Sequence, residues 1–485
     1  MIEPKTALLA RDSDRRWLQL VAPADYRNPT PQPRYHLVVI GAGPAGLVTA
    51  IAAAGLGAKV ALIEKHRMGG DCLNVGCIPS KTLLAASGTG DDDFAAAFAR
   101  MRATRAAIAE HDSVERYTAA GVDVFLGQAR FINPSLVRVG ELELNARRVV
   151  IATGARAAMP PIPGLSDANA LTNESVFELA EKPDRIAIIG AGPIGCELAQ
   201  VFARLNVKVD LLEAANRILP GESEPGARVV QSALAGIGVN IRLGARIERV
   251  ENRGSQTAVI TADATVIADK LLVATGRVAN TEELNLAAAG VRTDDNGIIV
   301  VDHKLRTTHP QVFAAGDVCT EMRFTHHADA HARAVVQNAL FLPTARVDRL
   351  VVPRCVYTQP EIAQIGPTRD ELDLSGRKYD TYSRAYAETD RGRTHDDDQG
   401  FIEVLTAPGK AEILGATIVG ADAGEQIAFV CLAMANQLGV DAFGKGLLAY
   451  PTRAEAFRRI ADDFRRKRLT PGLQAAFRRW FQWTA

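Results

Sequence analysis

Two short glycine runs constrain what this chain can fold into more than any other feature. Gly41-Ala42-Gly43-Pro44-Ala45-Gly46 follows the apolar run Tyr35–Ile40, and Gly190-Ala191-Gly192-Pro193-Ile194-Gly195 follows Ile186–Ile189. Each is succeeded by an apolar, helix-forming stretch and then by a second short strand ending in an acid. Glu64 closes Lys59–Glu64 and Glu213 closes Val207–Glu213, so the first glycine and the acid stand 23 positions apart in both units (41 to 64, 190 to 213). The glycines let backbone approach a pyrophosphate, the helix N-terminus offers unpaired N–H groups and a positive dipole end, and the acid is placed for a ribose hydroxyl. A lone G-x-G-x-x-G is weak evidence. Strand, helix and terminal acid around it, present twice, predict a duplicated dinucleotide-binding unit and hence two dinucleotides.

Just after the first unit lies Gly69-Gly70-Asp71-Cys72-Leu73-Asn74-Val75-Gly76-Cys77-Ile78-Pro79-Ser80-Lys81. The cysteines are five positions apart, too far for a C-x-x-C motif and badly phased for a bridge on a regular helix. Gly70 and Gly76 make local distortion cheap. A strained, reachable pair is the reducible kind, so the spacing suits a dithiol that opens and closes better than two unrelated buried thiols. A zinc site lacks a second cysteine pair or a nearby histidine.

The 485 residues carry no net formal charge, so nothing electrostatic points to nucleic acid or an acidic surface. The length suggests about three domains. Six cysteines in so long a chain are no disulfide framework and fit a reducing cytoplasm; Cys196, Cys319, Cys355 and Cys431 read as buried small apolar residues. Met1 to Arg16 is charged and lacks the apolar core of a signal peptide. Leu37 to Ala58 is uncharged and long enough to span a bilayer, but its glycines sit at nucleotide-fold spacing, and no transmembrane segment is expected.

The run Gly70-x-Cys72-x-x-x-x-Gly76-Cys77-x-Pro79-Ser80-Lys81 resembles the redox-active signature of the FAD-containing pyridine nucleotide-disulfide oxidoreductases, which include dihydrolipoamide dehydrogenase, glutathione reductase and mercuric reductase. The resemblance runs from about Tyr35 to about Asp463. It implies an α/β chain with two Rossmann-like dinucleotide-binding domains plus a C-terminal α+β dimerisation domain. The boundaries expected are 1–34 for an extended N-terminal arm, 35–157 for the first part of an FAD-binding domain, 158–282 for an NAD(P)-binding domain, 283–350 for the return of the FAD-binding domain, 351–464 for the interface domain and 465–485 for a basic, aromatic tail. For that tail a docked terminal helix is favoured over a membrane-surface helix. The resemblance also implies a homodimer whose active site is shared between subunits.

With a redox dithiol beside the first glycine unit, flavin is expected there and nicotinamide at the second, the reverse being disfavoured by motif order. The FAD contacts implied are Gly41, Gly43, Ala45, Gly46, Glu64, Gly70, Lys81, Ala129, Thr153 and Gly154, together with Gly316 and Asp317 at the exit of Val312–Val318, a second flavin motif. Gly190, Gly192, Gly195, Glu213 and Gly276 are implied for the nicotinamide cofactor. Glu213 favours NADH over NADPH because a carboxylate repels a 2′-phosphate; Arg217 nearby blunts that preference. His327 and His331 share a helix face, which reads as a solvated or flavin-side helix before a metal site.

By the same resemblance Cys77 is the flavin-proximal thiolate, Cys72 the thiol that meets substrate, and Lys81 the partner of Glu197. One departure matters. Disulfide-reducing members carry His-Pro with a downstream Glu; here Pro451, Thr452 and Glu455 match, but the His position is Tyr450, and no histidine follows His395. A phenol with a reference pKa near 10 cannot deprotonate a thiol near neutrality as imidazole can. That weakens the lipoamide and glutathione readings and leaves the chain most similar to mercuric-reductase-like members, with a metal ion, a disulfide or a quinone as acceptor. Dihydrolipoyl dehydrogenase is the alternative and a non-turnover flavin sensor a weaker one. The chain lacks the vicinal cysteine pair and the N-terminal C-x-x-C module of mercuric reductases.

Overall fold

The computed structural model describes residues 11–88, 90, 93–395 and 399–485. It divides into two compact units, one of Met1–Ala214 with Gly238–Leu350 and one of Ala215–Ile237 with Val351–Ala485.

Two parallel sheets organise the first unit, and they repeat one another. In the larger, Val122–Leu126, Val60–Glu64, Tyr35–Ile40 and Leu142–Ile151 lie side by side in that order; Val312–Ala314 joins in parallel beside Val149–Ile151, and Leu136–Val139 and Ala129–Asn133 extend the far edge antiparallel. In the smaller, Asn240–Arg242, Lys208–Leu212, Arg185–Ile189 and Lys270–Val273 follow the same order, all parallel. Parallel strands covered on both faces read as unbroken apolar runs. Leu37, Val38 and Val39 in one sheet and Ile186, Ala187 and Ile188 in the other are accordingly fully buried. The helices Pro44–Gly55 and Pro193–Arg204 start on a proline immediately after each glycine turn, where a missing N–H costs nothing. The second unit is built on a five-stranded antiparallel sheet, ordered Pro353–Val356, Glu361–Ile365, Ile413–Gly420, Phe401–Thr406 and Asp380–Ala385.

Both ends of the chain differ from expectation. The N-terminal segment is not simply an extended arm, because Asp12–Val21 is a helix with Asp14, Trp17 and Val21 fully buried. Arg105, also fully buried, explains why: its Nη2 donates to Asp14 Oδ1 at 3.0 Å, its Nη1 donates to Glu178 Oε1 at 2.6 Å, and its guanidinium lies 3.6 Å from the Trp17 ring centroid. Met1–Ala10 lie outside the described residues. At the other end Pro471–Thr484 is helical, but none of it is buried, so the expected docked helix is not packed into the described residues of the second unit. The minor cysteines also divide: Cys196 and Cys319 are buried, whereas Cys355 and Cys431 are only half-buried.

Candidate active site

The redox segment is two helices broken by a glycine. Gly70–Val75 ends at Gly76, and Cys77–Ser87 begins at once in a new direction. A side chain at Gly76 would bring a Cβ within 2.8 Å of the Asp71 carbonyl oxygen, so only glycine allows this break. The break puts Cys72 and Cys77, both free thiols, against one hydroxyl: Thr325 Oγ1 stands 3.4 Å from each sulfur. The Cys72 thiol donates to the Cys77 sulfur. That hydrogen bond, helped by Thr325 and by the Lys81 ammonium and opposed by burial, lowers the Cys77 pKa to about 6. The same bond and burial push Cys72 up. The shifts favour the thiolate form at Cys77 and the thiol form at Cys72.

Thr325 escaped the sequence analysis. A threonine opening the helix Thr325–Leu340 looks like any helix-end residue, and only the fold carries it to residues some 250 positions earlier. Arg277 and Asp71 escaped it for the same reason: Arg277 Nη2 donates to both Asp71 Oδ2 and the Ala155 carbonyl.

The redox helix packs onto the first glycine turn. Gly70, at φ +57°, would carry a Cβ only 2.5 Å from Gly43 Cα. Gly41, Gly43 and Gly46 form that turn, and Ala45 is buried in the first turn of the following helix. Glu64 is buried at the end of its strand, with Oε2 accepting from Ala42 N–H at 2.8 Å and Oε1 from His66 N–H at 2.7 Å, while burial pushes its pKa up. Ala129 begins its strand, buried. Thr153, ahead of Gly154, donates its hydroxyl to the Asn280 carbonyl at 2.7 Å. Gly316 abuts the same turn, for a Cβ there would lie 3.1 Å from the Ala45 Cβ.

Beside Asp317 the donors are incomplete. Arg277 Nε, 3.9 Å from Asp317 Oδ2, and Arg323 Nε are both buried without a hydrogen-bond partner among the described residues, and burial pushes Asp317 up. Buried orphan donors mark a place for a polar ligand. With the glycine turn they fit a dinucleotide such as FAD. His327 and His331 are not a solvated face: both are buried, 4.1 Å apart by ring centroid, and Gly316 N–H donates to His331 Nδ1 at 3.3 Å. Burial lowers His331 to about 4, so it stays neutral and braces the Gly316 turn.

The second turn repeats this without the packing. Gly190, Gly192 and Gly195 make the turn, and Ala191 N–H donates to Glu213 Oε2 at 2.7 Å. Gly276 sits between the strands Lys270–Val273 and Arg277–Ala279. From the helix that follows this turn, Glu197, nearly buried, reaches the second helix of the redox segment: Lys81 Nζ is 2.7 Å from Glu197 Oε2. Arg217, in the second unit, donates to the carbonyls of Leu219, Pro220 and Glu222 at 2.8 to 3.0 Å.

Tyr450 and Glu455 also belong to the second unit. Tyr450 is 69 % exposed, and its hydroxyl donates to Asp390 Oδ2 at 2.6 Å, which raises the phenol pKa. Glu455 Oε1 accepts from Arg459 at 2.6 Å, while Oε2 is buried without a hydrogen-bond partner among the described residues.

Residues 35–332 match the family described as pyridine nucleotide-disulphide oxidoreductase, and residues 352–461 match that family's dimerisation domain. The chain belongs to this family and is an FAD-dependent oxidoreductase that uses a pyridine nucleotide. It is 32% identical over 450 residues to a mercuric reductase of Staphylococcus aureus, covering 89% of this chain and 82% of that protein. It is 34% identical over 443 residues to a glutathione reductase of Burkholderia cepacia, covering 87% and 97%. Among solved structures, the Cu(II) complex of the HOCl-induced flavoprotein disulfide reductase RclA from Escherichia coli superposes with a TM-score of 0.83 at 31% identity, covering 89% of this chain and 99% of that one. Among the described residues no helix is long and apolar enough to cross a membrane.

Proposed function

We propose that the chain is a homodimeric NAD(P)H oxidoreductase, with NADH favoured, that delivers electrons through Cys72 and Cys77 to a soft metal ion in the manner of a mercuric reductase, a disulfide or a quinone being the other acceptor classes. Over the first half-reaction NADH and the disulfide give NAD⁺, the Cys77 thiolate and the Cys72 thiol. Over the second, the disulfide closes again as two electrons pass to the acceptor and one proton leaves. FAD, when bound, supplies the two-electron relay between nicotinamide and sulfur.

The protein's own residues do the rest. The first glycine turn, Glu64, Gly316 and Asp317 hold the flavin, and the second turn with Glu213 and Gly276 holds the nicotinamide cofactor. Cys77 keeps a thiolate at neutral pH, stabilised by Cys72, Thr325 and Lys81. Cys72 keeps its proton until an acceptor arrives. Arg217, engaged with its own loop, is a poor partner for a 2′-phosphate, and this supports NADH.

The observation that carries the acceptor reading is the pairing of Tyr450 with Asp390. A phenol that donates to a carboxylate, with its pKa raised, cannot take a proton from a thiol. Exchange with a disulfide needs such a base, whereas a soft metal ion needs only thiolates. Anaerobic titration with NADH and then NADPH, followed by a turnover panel of Hg(II), Cu(II), lipoamide, glutathione disulfide and quinones, tests this. Metal ions should turn over fastest, and fast lipoamide turnover that is indifferent to Tyr450→Phe would overturn the reading.

A further inference from the structure

The helix Pro471–Thr484 has no part in the chemistry above, yet it exposes the largest aromatic group on the second unit. Leu473, Phe477, Trp480, Phe481 and Trp483 are between 43% and 79% exposed, and the Trp480 and Trp483 rings lie 5.4 Å apart. Positions 473, 477, 480 and 481 fall on one stripe at helical periodicity, and Trp483 widens it. Arg478 and Arg479 lie on its two flanks. A contiguous apolar face of this kind marks an interaction surface.

Charge decides what it meets. Residues 465–485 hold six basic and no acidic residues, so the rest of a chain of zero formal charge carries a net −6. Arg465, Arg466 and Lys467 pair with Asp462, Asp463 and Asp380, and Arg478 and Arg479 lie on the helix itself. A second copy of this helix carries no acidic residue, so a two-fold contact through this face offers no opposite charge to Arg478 and Arg479. An anionic surface supplies it. Tryptophan and phenylalanine between flanking arginines match the boundary of a phospholipid bilayer, where rings enter the acyl edge and guanidinium groups reach the phosphates. Fourteen residues are too few to span.

We propose that the Pro471–Thr484 helix lies in the headgroup boundary of an anionic phospholipid bilayer and holds the enzyme on its surface. The full FAD-loaded chain would be sedimented with phosphatidylglycerol-containing vesicles and with pure phosphatidylcholine vesicles, at low and high salt. Binding is expected on the anionic vesicles, weaker by on the order of tenfold or more on the neutral ones and in high salt. Of the three tryptophans, Trp17 is fully buried, so a blue shift on vesicle addition reports Trp480 and Trp483. The pair Trp480→Ser with Phe481→Ser, and separately Arg478→Glu with Arg479→Glu, should abolish binding while leaving NADH reduction of the bound flavin unchanged. Absence of binding, equal binding to both vesicles, or a fall in oligomeric mass in the Trp480, Phe481 variant would overturn the proposal, the last by showing that a second copy covers the helix.

Discussion

At the first glycine turn Ala42 N–H donates to Glu64, and at the second Ala191 N–H donates to Glu213, at 2.8 and 2.7 Å, beneath sheets with the same strand order. Their surroundings differ. Gly43 is met by the backbone of Gly70, whereas a side chain at Gly192 would find nothing within 4 Å. Glu64 is buried and Glu213 is only partly so. The redox helix over the first turn is in turn held from behind, since Asn74 Nδ2 donates to the Gly70 and Met68 carbonyls and its Oδ1 accepts from Trp17 Nε1 at 2.8 Å. Two copies of one motif have diverged into a closed site and an open one. A closed site suits a resident cofactor and an open site suits one that must leave each cycle.

The largest expected effect separates the dithiol from both turns. Cys77→Ser should lower steady-state turnover by about 10³-fold or more, the range for removing a reacting nucleophile, while rapid-mixing absorbance still shows NADH reducing the bound flavin. Loss of flavin reduction as well would mean that the sulfur is part of the first site's architecture. Next, Trp17→Ala removes the prop behind the closed site. It should cost about 3–5 kcal/mol in thermal or denaturant unfolding and release flavin, seen as a rise in flavin fluorescence, at a lower temperature than in the parent. An unchanged release temperature would detach the N-terminal helix from the comparison.

A third pair tests closed against open directly. Gly70→Ala puts a Cβ 2.5 Å from Gly43 Cα at φ +57°, so a cost of about 1–3 kcal/mol and poor flavin retention are expected. Gly192→Ala meets open space; it should fold and keep its flavin, with the effect confined to a few-fold rise in KM for NADH. Equal flavin loss in both variants would break the comparison.

What the sequence made legible follows from which interactions are local. The glycine turns, the acids 23 positions on and the apolar strands are set within about 30 residues of one another, so pattern alone placed them. The Thr325 contact to the sulfurs, the Arg277 pairing with Asp71, and the Arg105 clamp on Asp14 and Trp17 join residues from some 90 to 250 positions apart. No periodicity marks such pairs. The N-terminal helix in particular was hidden because no local pattern joins Asp14 to Arg105, 91 positions on, each of which is buried against the other. For the tail, composition showed an amphipathic helix but could not show that the described residues of its own unit leave it unburied.

The smallest expected effect tests an ion pair that ties the two sites. Lys81 belongs to Cys77–Ser87, the second helix of the redox segment, and Glu197 to the helix that follows the open turn. The Lys81 cation lowers the Cys77 pKa and the Glu197 carboxylate raises it. The thiolate-to-flavin absorbance of the reduced enzyme should therefore persist down to about pH 6 and fade below it. Lys81→Gln should move that midpoint up by on the order of one pH unit, about 1.4 kcal/mol. Glu197→Gln should move it down, because it removes the carboxylate and leaves the ammonium to act on the sulfur alone. Glu213→Gln, at the same open turn but away from the sulfur, should leave the midpoint in place. Shifts of the same sign for Lys81→Gln and Glu197→Gln would show that both act by holding the helices together. Opposite signs would show that the open site sets the charge on the sulfur of the closed one through a single ion pair.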